Sequence, residues 1–355
     1  MQPLDNNLKK VLTEAEIFSP GSNALILQEK SLCRFLEKEY RHYLENPVTL
    51  ESTGVSTDQG PIMDQTEALM KTHYDESLEL FMGFLDTRYR AYTMAYYGEA
   101  GDDDISLEQA QLQKFRLISQ RAQIRGDERI LNIGCGFGSL ETFLLEEYPG
   151  IQITGITPSK VQINYLKDKM QDPAHPLSSG FTLVEDVFDE SIPARVGIAQ
   201  YDLVISIGVF EQLLNMKAAL EVIAKLLKPD GRSFHHFITS SVTTPQVQLH
   251  KKTIIGKYFP GGRIWPRAEF SRHTDHLDFE AAWFVNGKNY WRTLEDWHQR
   301  YWKSIPQLYA NNFGLDAIKY WNDYFVLCKA MFAPLDGTFY GNSQYLFSQK
   351  KQQAQ

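Results

Sequence analysis

"LNIGCGFGSLE" (131–141) sets three glycines between an apolar run and the start of a helical pattern. Leu131 to Ile133 read as the end of a buried strand, and Leu140 to Leu145 as the opening of a helix. Gly134, Gly136 and Gly138 therefore fall on a strand-to-helix turn, where open α/β sheets bind ligands. Glycines there clear side chains from the path of a ligand that approaches the backbone. A lone G-x-G-x-G also arises by chance, so its surroundings decide the reading.

Those surroundings alternate. Short apolar runs, "IQITGI" (151–156), "FTLVEDV" (181–187), "YDLVISI" (201–207) and "GRSFHHFIT" (231–239), are separated by amphipathic segments at 160–170 and 218–227, the latter closed by "KPDG". This order predicts an α/β fold with a doubly wound, Rossmann-like parallel sheet. "SQYLFSQK" (343–350) is expected to be its last strand, returning after a long insertion. Upstream, "TEALMKTHYDESLELFMGFLD" (66–86) has helical spacing, and Ser106 with Gln109 forms a capping box ahead of another helix.

The expected organisation is an N-terminal extension (1–64), a core with a helical cover (65–239 and 336–350), and a helical insertion (240–335). The polar "ESTGVSTDQGP" (51–61) reads as a linker or loop. The insertion holds every tryptophan of the chain, from Trp265 to Trp321, with Tyr290, Tyr301, Tyr320 and Tyr324. Most of these rings are expected to pack on the sheet. A few, with Tyr324, Trp321 and Tyr290 named as substrate-binding, would wall a pocket for an apolar or cationic ligand.

Composition narrows the function. A net charge of -8 with no basic stripe argues against a nucleic-acid partner. Three separated cysteines suit a reducing compartment. "MQPLDNNLKK" has no apolar segment behind its lysines, and no apolar stretch approaches ~20 residues. The expectation is a soluble cytoplasmic protein without an integral membrane segment. Oligomeric state stays open, a homodimer included. "HTDH" (273–276) offers His273, Asp275 and His276 but no further ligand cluster, so it reads as a solvated or ion-paired loop and no metal is expected.

The glycine turn also points to a ligand class. Dinucleotide sites favour G-x-G-x-x-G and an acid about twenty residues on. Here the glycines alternate and the second strand ends "TGITPSK", without that acid. The pattern resembles S-adenosylmethionine-dependent methyltransferases. "HYDESLELFMGFLDTRYRAYTMAYYGE" (73–99), "SLEQAQLQKFRLI" (106–118), "ILNIGCGFGSLE", "TGITPSKVQ" (154–162) and "SIGVFEQL" (206–213) come in the order of the cyclopropane-fatty-acid synthase family. That family includes mycolic acid methyltransferases and coclaurine-type N-methyltransferases. "HHFIT", "KYFPGG" and "WFVNGKNYWRTLEDW" resemble the coclaurine-type branch more closely.

The resemblance implies S-adenosyl-L-methionine as cofactor, with S-adenosyl-L-homocysteine as product. It matches Tyr92 and Thr93 to the cofactor's carboxylate, Gly134 and Gly136 to its methionine part, Thr157 and Gln162 to the ribose, and Asp186 to the adenine amino group. Simpler roles remain beside these: a loop carboxylate for Asp186, helix capping and surface exposure for Thr157 and Gln162.

Glu211 is the first catalytic candidate, because it follows the fourth apolar run, at the carboxyl end of a strand. A helix-capping ion pair is its simpler alternative. The coclaurine-type pattern has Glu-His here, and this chain has Glu211-Gln212; Gly208 stands where that branch has another Glu. An amide exchanges no proton near neutrality, so His236 of "FHHFIT" is the candidate for the missing base, against a buried core histidine. His235 should face the other way along the strand. Met94 replaces a Cys of the lipid-modifying branch's bicarbonate site, which Tyr324 also matches. Three functions follow: N-methylation of a small, partly apolar amine, methylation or cyclopropanation of an acyl-chain double bond, or cofactor binding at a decayed site.

Overall fold

A computed structural model describes residues 6–63, 76–247, 256, 259 and 261–351. The domain boundary expected at 64/65, the helical pattern at 66–75, and residues 257, 258 and 260 of "KYFPGG" lie outside the described residues.

The apolar runs form parallel strands β1 (Arg129–Ile133), β2 (Gln152–Ile156), β3 (Phe181–Val184), β4 (Tyr201–Ile207) and β5 (Leu227–Ser240). They join the two-residue β6 (Trp265–Pro266), β7 (Leu277–Asn286) and β8 (Tyr340–Gln349) in one sheet. Its order is β3-β2-β1-β4-β5-β8-β7, with β6 paired to β5. β8 runs antiparallel to both β5 and β7.

Two expectations need correcting. Residues 277–286, inside the segment read as helical, form the edge strand β7. The last strand in sequence, β8, is therefore internal, paired on both sides. "KPDG" does not close the helical segment read at 218–227; it lies within β5, and a register irregularity between Tyr201 and Leu203 of β4 absorbs it.

Both faces of the sheet are covered, which is why its strands read as near-continuous apolar runs. Alternate residues Ile130, Ile153, Leu203, Ile205, Phe234 and Leu346 face helices α4 (Leu107–Arg121), α5 (Ser139–Glu147) and α6 (Lys160–Gln171). Ser106 and Gln109 close the expected capping box on α4, and Ser159 caps α6. The other face, with Leu131, Val204, Tyr345 and Phe347, packs on α8 (Met216–Leu226), whose N-cap is Asn215. (α7 is the short Ile192–Val196.) Val55 and Ile62 are buried on that face, so the polar 51–61 stretch is a packed loop, not a free linker.

A second core forms the cap over the carboxyl ends of the strands. It joins α1 (Asn6–Glu14), α2 (Asn23–Glu45), α3 (Leu78–Phe84), α9 (Lys288–Ala310) and α10 (Leu315–Phe332). Tyr40 of α2 stacks on Phe339 at 4.2 Å and its hydroxyl donates to the Met331 carbonyl at 3.3 Å. The N-terminal extension is thus part of the cap.

Candidate active site

The glycine turn lies at the end of β1, with Gly134, Gly136 and Gly138 at φ +77°, +60° and +74°. All three sit in the left-handed region that L side chains rarely adopt. Their surroundings differ. A Cβ on Gly134 would meet Val209 at 2.5 Å, and one on Gly138 would meet Leu166 at 2.8 Å. At Gly136 nothing lies within 4 Å. That open space belongs to a cleft of about 970 Å³, its mouth included, which Tyr92, Thr93, Gly134, Gly136, Thr157, Gln162 and Asp186 all line.

Local chemistry shapes this cleft. Thr157 donates to Gln162 Oε1 at 2.7 Å, and both are buried; the capping role falls to Ser159 instead. Asp186 accepts from the Val187 amide at 2.8 Å and pairs with Arg195. Asn132, also in the wall, donates to buried Glu141 at 2.6 Å, and burial raises the Glu141 carboxyl to about 7.

A second cleft of about 930 Å³ shares Tyr92, Thr93, Gly208 and Gln212 with the first. Its walls are mostly apolar: Ile238, Ile264, Leu294, Tyr290, Tyr324 and Phe332 among them. Tyr324 and Tyr92 hydroxyls approach to 3.5 Å, and Tyr290 stacks on Phe332 at 4.5 Å. Glu211 faces this cleft from the turn after β4. Its Oε1 accepts from the Ile238 amide at 2.7 Å, while Oε2 is buried and has no hydrogen-bond partner among the described residues. Burial raises the carboxyl to about 7, and the backbone hydrogen bond from Ile238 offsets it only in part.

Two site expectations fail. Trp321 lies outside both clefts: α10 turns Tyr324, Cys328 and Met331 toward the second cleft, and places Trp321 among Phe81, Phe84 and Phe325. His236 is not in a cleft wall either. It is 1% exposed, its ring held between Asn342 at 2.8 Å and Gln344 at 3.0 Å. Burial, with Lys114 and Arg121 nearby, depresses it to about 3, so it stays neutral and is a poor proton acceptor. His235 does face the other way, 2.8 Å from Ser206 and against Phe210 and Phe270.

In "HTDH" each of these side chains lies against an acid or a base: His273 is 3.4 Å from Glu269, Asp275 pairs with Lys217 at 3.3 Å, and His276 is 3.9 Å from Glu221. Sequence reasoning missed Arg263 and Asn342, both in the second cleft. Neither carries a local motif, and Asn342 is brought there by the pairing of β8 with β5.

A family model described as mycolic acid cyclopropane synthetase matches residues 63–337. The chain belongs to that family. It is accordingly an S-adenosylmethionine-dependent methyltransferase, and with β6 set aside its strand order is the 3-2-1-4-5-7-6 of class I methyltransferases. It is similar to cyclopropane-fatty-acyl-phospholipid synthase of Escherichia coli, 26% identical over 304 residues, covering 85% of this chain and 73% of that protein. It is also similar to (S)-coclaurine N-methyltransferase of Thalictrum flavum, 24% identical over 262 residues, covering 70% and 71%. A crystal structure of coclaurine N-methyltransferase bound to N-methylheliamine and SAH shares the fold at TM-score 0.77 and 21% identity, covering 96% of this chain and 99% of that one. Among the described residues, no helix is long and apolar enough to cross a membrane.

Proposed function

We propose that this methyltransferase acts on the nitrogen of a small, partly apolar amine. The observation that carries the reading is Glu211 Oε2, a buried acceptor without a partner among the described residues, in an aromatic-walled cleft that adjoins the cleft at the glycine turn. A carboxylate there holds an incoming ammonium or orients the neutral amine by its N–H. Aromatic faces around it favour the positive charge that grows on nitrogen.

The open space over Gly136 fits the methionine part of S-adenosylmethionine, with Tyr92 and Thr93 toward its carboxylate end, Thr157 and Gln162 toward the ribose, and Asp186 toward the adenine. The bound cofactor supplies a methyl group on sulfonium for in-line displacement. The chain's own part is alignment across the shared wall of Tyr92, Thr93, Gly208 and Gln212, and removal of a proton from the amine. Glu211, raised to about 7, is suited to take that proton near neutral pH, and it replaces His236 as the acid/base candidate.

The apolar lining of the second cleft keeps one other reading open, transfer to an unsaturated acyl chain. The matched Cys position of that branch is Met94 here, 1% exposed, and a thioether holds no anion. Labelled cofactor offered with a panel of aromatic and alicyclic amines, and separately with unsaturated phospholipid, decides between them. Label in the amines only is the expected result; label in the lipid only overturns the reading.

A further inference from the structure

His236 sits on β5 directly opposite Gln344 of β8, and Ile238 opposite Asn342. The two amide side chains flank the imidazole, each with its NH2 group toward a ring nitrogen: Gln344 on Nδ1 and Asn342 on Nε2. A neutral imidazole accepts at one nitrogen and donates at the other. One of the amides must therefore be turned, since its oxygen and nitrogen are interchangeable in outline.

Arg121 decides which. Its guanidinium donates to Gln344 Oε1 at 2.6 Å, and arginine has no acceptor to offer. Gln344 is fixed with its oxygen on Arg121 and its NH2 on Nδ1. His236 then carries its proton on Nε2 and donates, so the group it meets at 2.8 Å has to be the Asn342 oxygen. Turning Asn342 moves its NH2 to the place held by Oδ1, a buried position that no hydrogen-bond donor of the described residues reaches. Asn342 is a wall residue of the second cleft.

From this chain of bonds we infer that Asn342 presents a fixed NH2 donor to the substrate, and that the substrate carries an oxygen acceptor near its reacting amine. This deepens the amine reading and rests on it for the nature of the ligand. Buried donors in folded proteins are satisfied, and the cleft that Asn342 lines is where we place the acceptor for this one. Its position relative to Glu211 is set by Ile238, whose amide binds Glu211 Oε1 and whose strand partner is Asn342. Neighbouring strands are about 5 Å apart, so the acceptor oxygen and the nitrogen are separated by a few bonds. Cation or N–H toward Glu211 and oxygen toward Asn342 describe an amino ether or amino alcohol on an apolar body. His236 is a positioning residue: it orients Asn342 through a relay that begins at Arg121.

Two measurements test this. The first is nitrogen NMR of histidine-labelled protein, with His236 assigned by its absence in His236→Gln. A neutral ring protonated on Nε2 near pH 7 is expected; a proton on Nδ1 overturns the orientation of Asn342. The second compares 2-phenylethylamine with 2-methoxy-2-phenylethylamine, whose added oxygen only accepts. With the demethylated cofactor present, calorimetry should show the methoxy amine binding about three- to tenfold tighter, the worth of one neutral hydrogen bond. In methyl transfer the advantage should appear in KM. Asn342→Asp, which removes the donor and keeps an acceptor for Nε2–H, should erase or reverse the preference at unchanged cofactor affinity. Equal binding of the two amines by the native protein overturns the donor role. Failure of both to bind overturns the amine reading and the ligand assignment with it, while the nitrogen spectra still decide the relay.

Discussion

The Glu211 carboxyl and the Ile238 amide are joined by a 2.7 Å hydrogen bond that ties the turn after β4 to the outer end of β5. One carboxyl oxygen is thereby spent on the fold, which fixes the direction of the other toward the second cleft. Burial raises this carboxyl from 4.5 to about 7. Activity should therefore rise as pH passes through about 7, where the carboxylate forms, and Glu211→Gln should lose that step. Its kcat/KM should fall by about 10²–10⁴, the span of a positioned acid/base group. Wild-type turnover in Glu211→Gln would leave alignment alone to account for catalysis.

The same shift has a stability consequence of opposite direction. A carboxyl whose folded pKa is raised stabilises the fold below its unfolded pKa, and that contribution is lost as pH rises through the folded value. Ionising Glu211 in place costs about 3 kcal/mol by this linkage, as an upper figure because the residue is not wholly enclosed. Glu211→Gln should then melt higher than the native protein at pH above about 8 and show little gain near pH 5. Thermal melts at the two pH values check it; an equal shift at both would refute the linkage.

His236 should behave in the reverse sense. Its folded pKa is depressed to about 3, so its neutral form contributes stability above 6.5 that is lost as pH falls toward 3. His236→Gln should flatten acid unfolding in that window and leave the pH dependence of turnover near pH 7 unchanged. A pH–rate profile that loses its acid limb in His236→Gln would restore the histidine as the proton acceptor.

Gly136→Leu should abolish cofactor binding while the chain still folds. The added side chain enters open space at no packing cost, though φ of +60° adds about 1–2 kcal/mol of backbone strain. Gly134→Leu is the contrast: its Cβ would strike Val209 at 2.5 Å, so that variant should lose stability first. Calorimetry with cofactor, after circular dichroism of each variant, separates the two outcomes. Unchanged affinity in a folded Gly136→Leu would remove the cofactor from the glycine turn.

Trp321 and Tyr324 lie on one helix and should part company on substitution. Trp321→Ala excavates a core site that is 1% exposed and should cost about 3–5 kcal/mol of stability. Tyr324→Phe removes only a hydroxyl at the cleft, 3.5 Å from that of Tyr92, and should change KM or substrate preference with a small change in melting temperature. Denaturant unfolding and methyl-transfer kinetics on both variants test the division; a KM effect confined to Trp321→Ala would reverse it.

How much of this was legible in the sequence follows from the range of the interactions involved. A strand, a tight turn and a helix N-terminus are consecutive in the chain, so the apolar run, the alternating glycines and the capping residue Ser106 declare themselves locally. Residues as separated as Tyr92, Gly134, Thr157 and Asp186 were assigned to one ligand by the family resemblance, and the fold brings all four to the wall of one cleft. The tertiary structure decided what depends on pairing and rotation. Trp321 and Tyr324 read alike as aromatics on a helix, and only the angle at which α10 packs sends one into the core and the other to the cleft. His236 reads as a free base at a strand end until β8 pairs with β5 and sets Asn342 and Gln344 on either side of its ring, from more than a hundred residues along the chain. Side-chain hydrogen bonds across strands leave no periodic trace in sequence, because any polar residue satisfies the pattern and only the register chooses its partner.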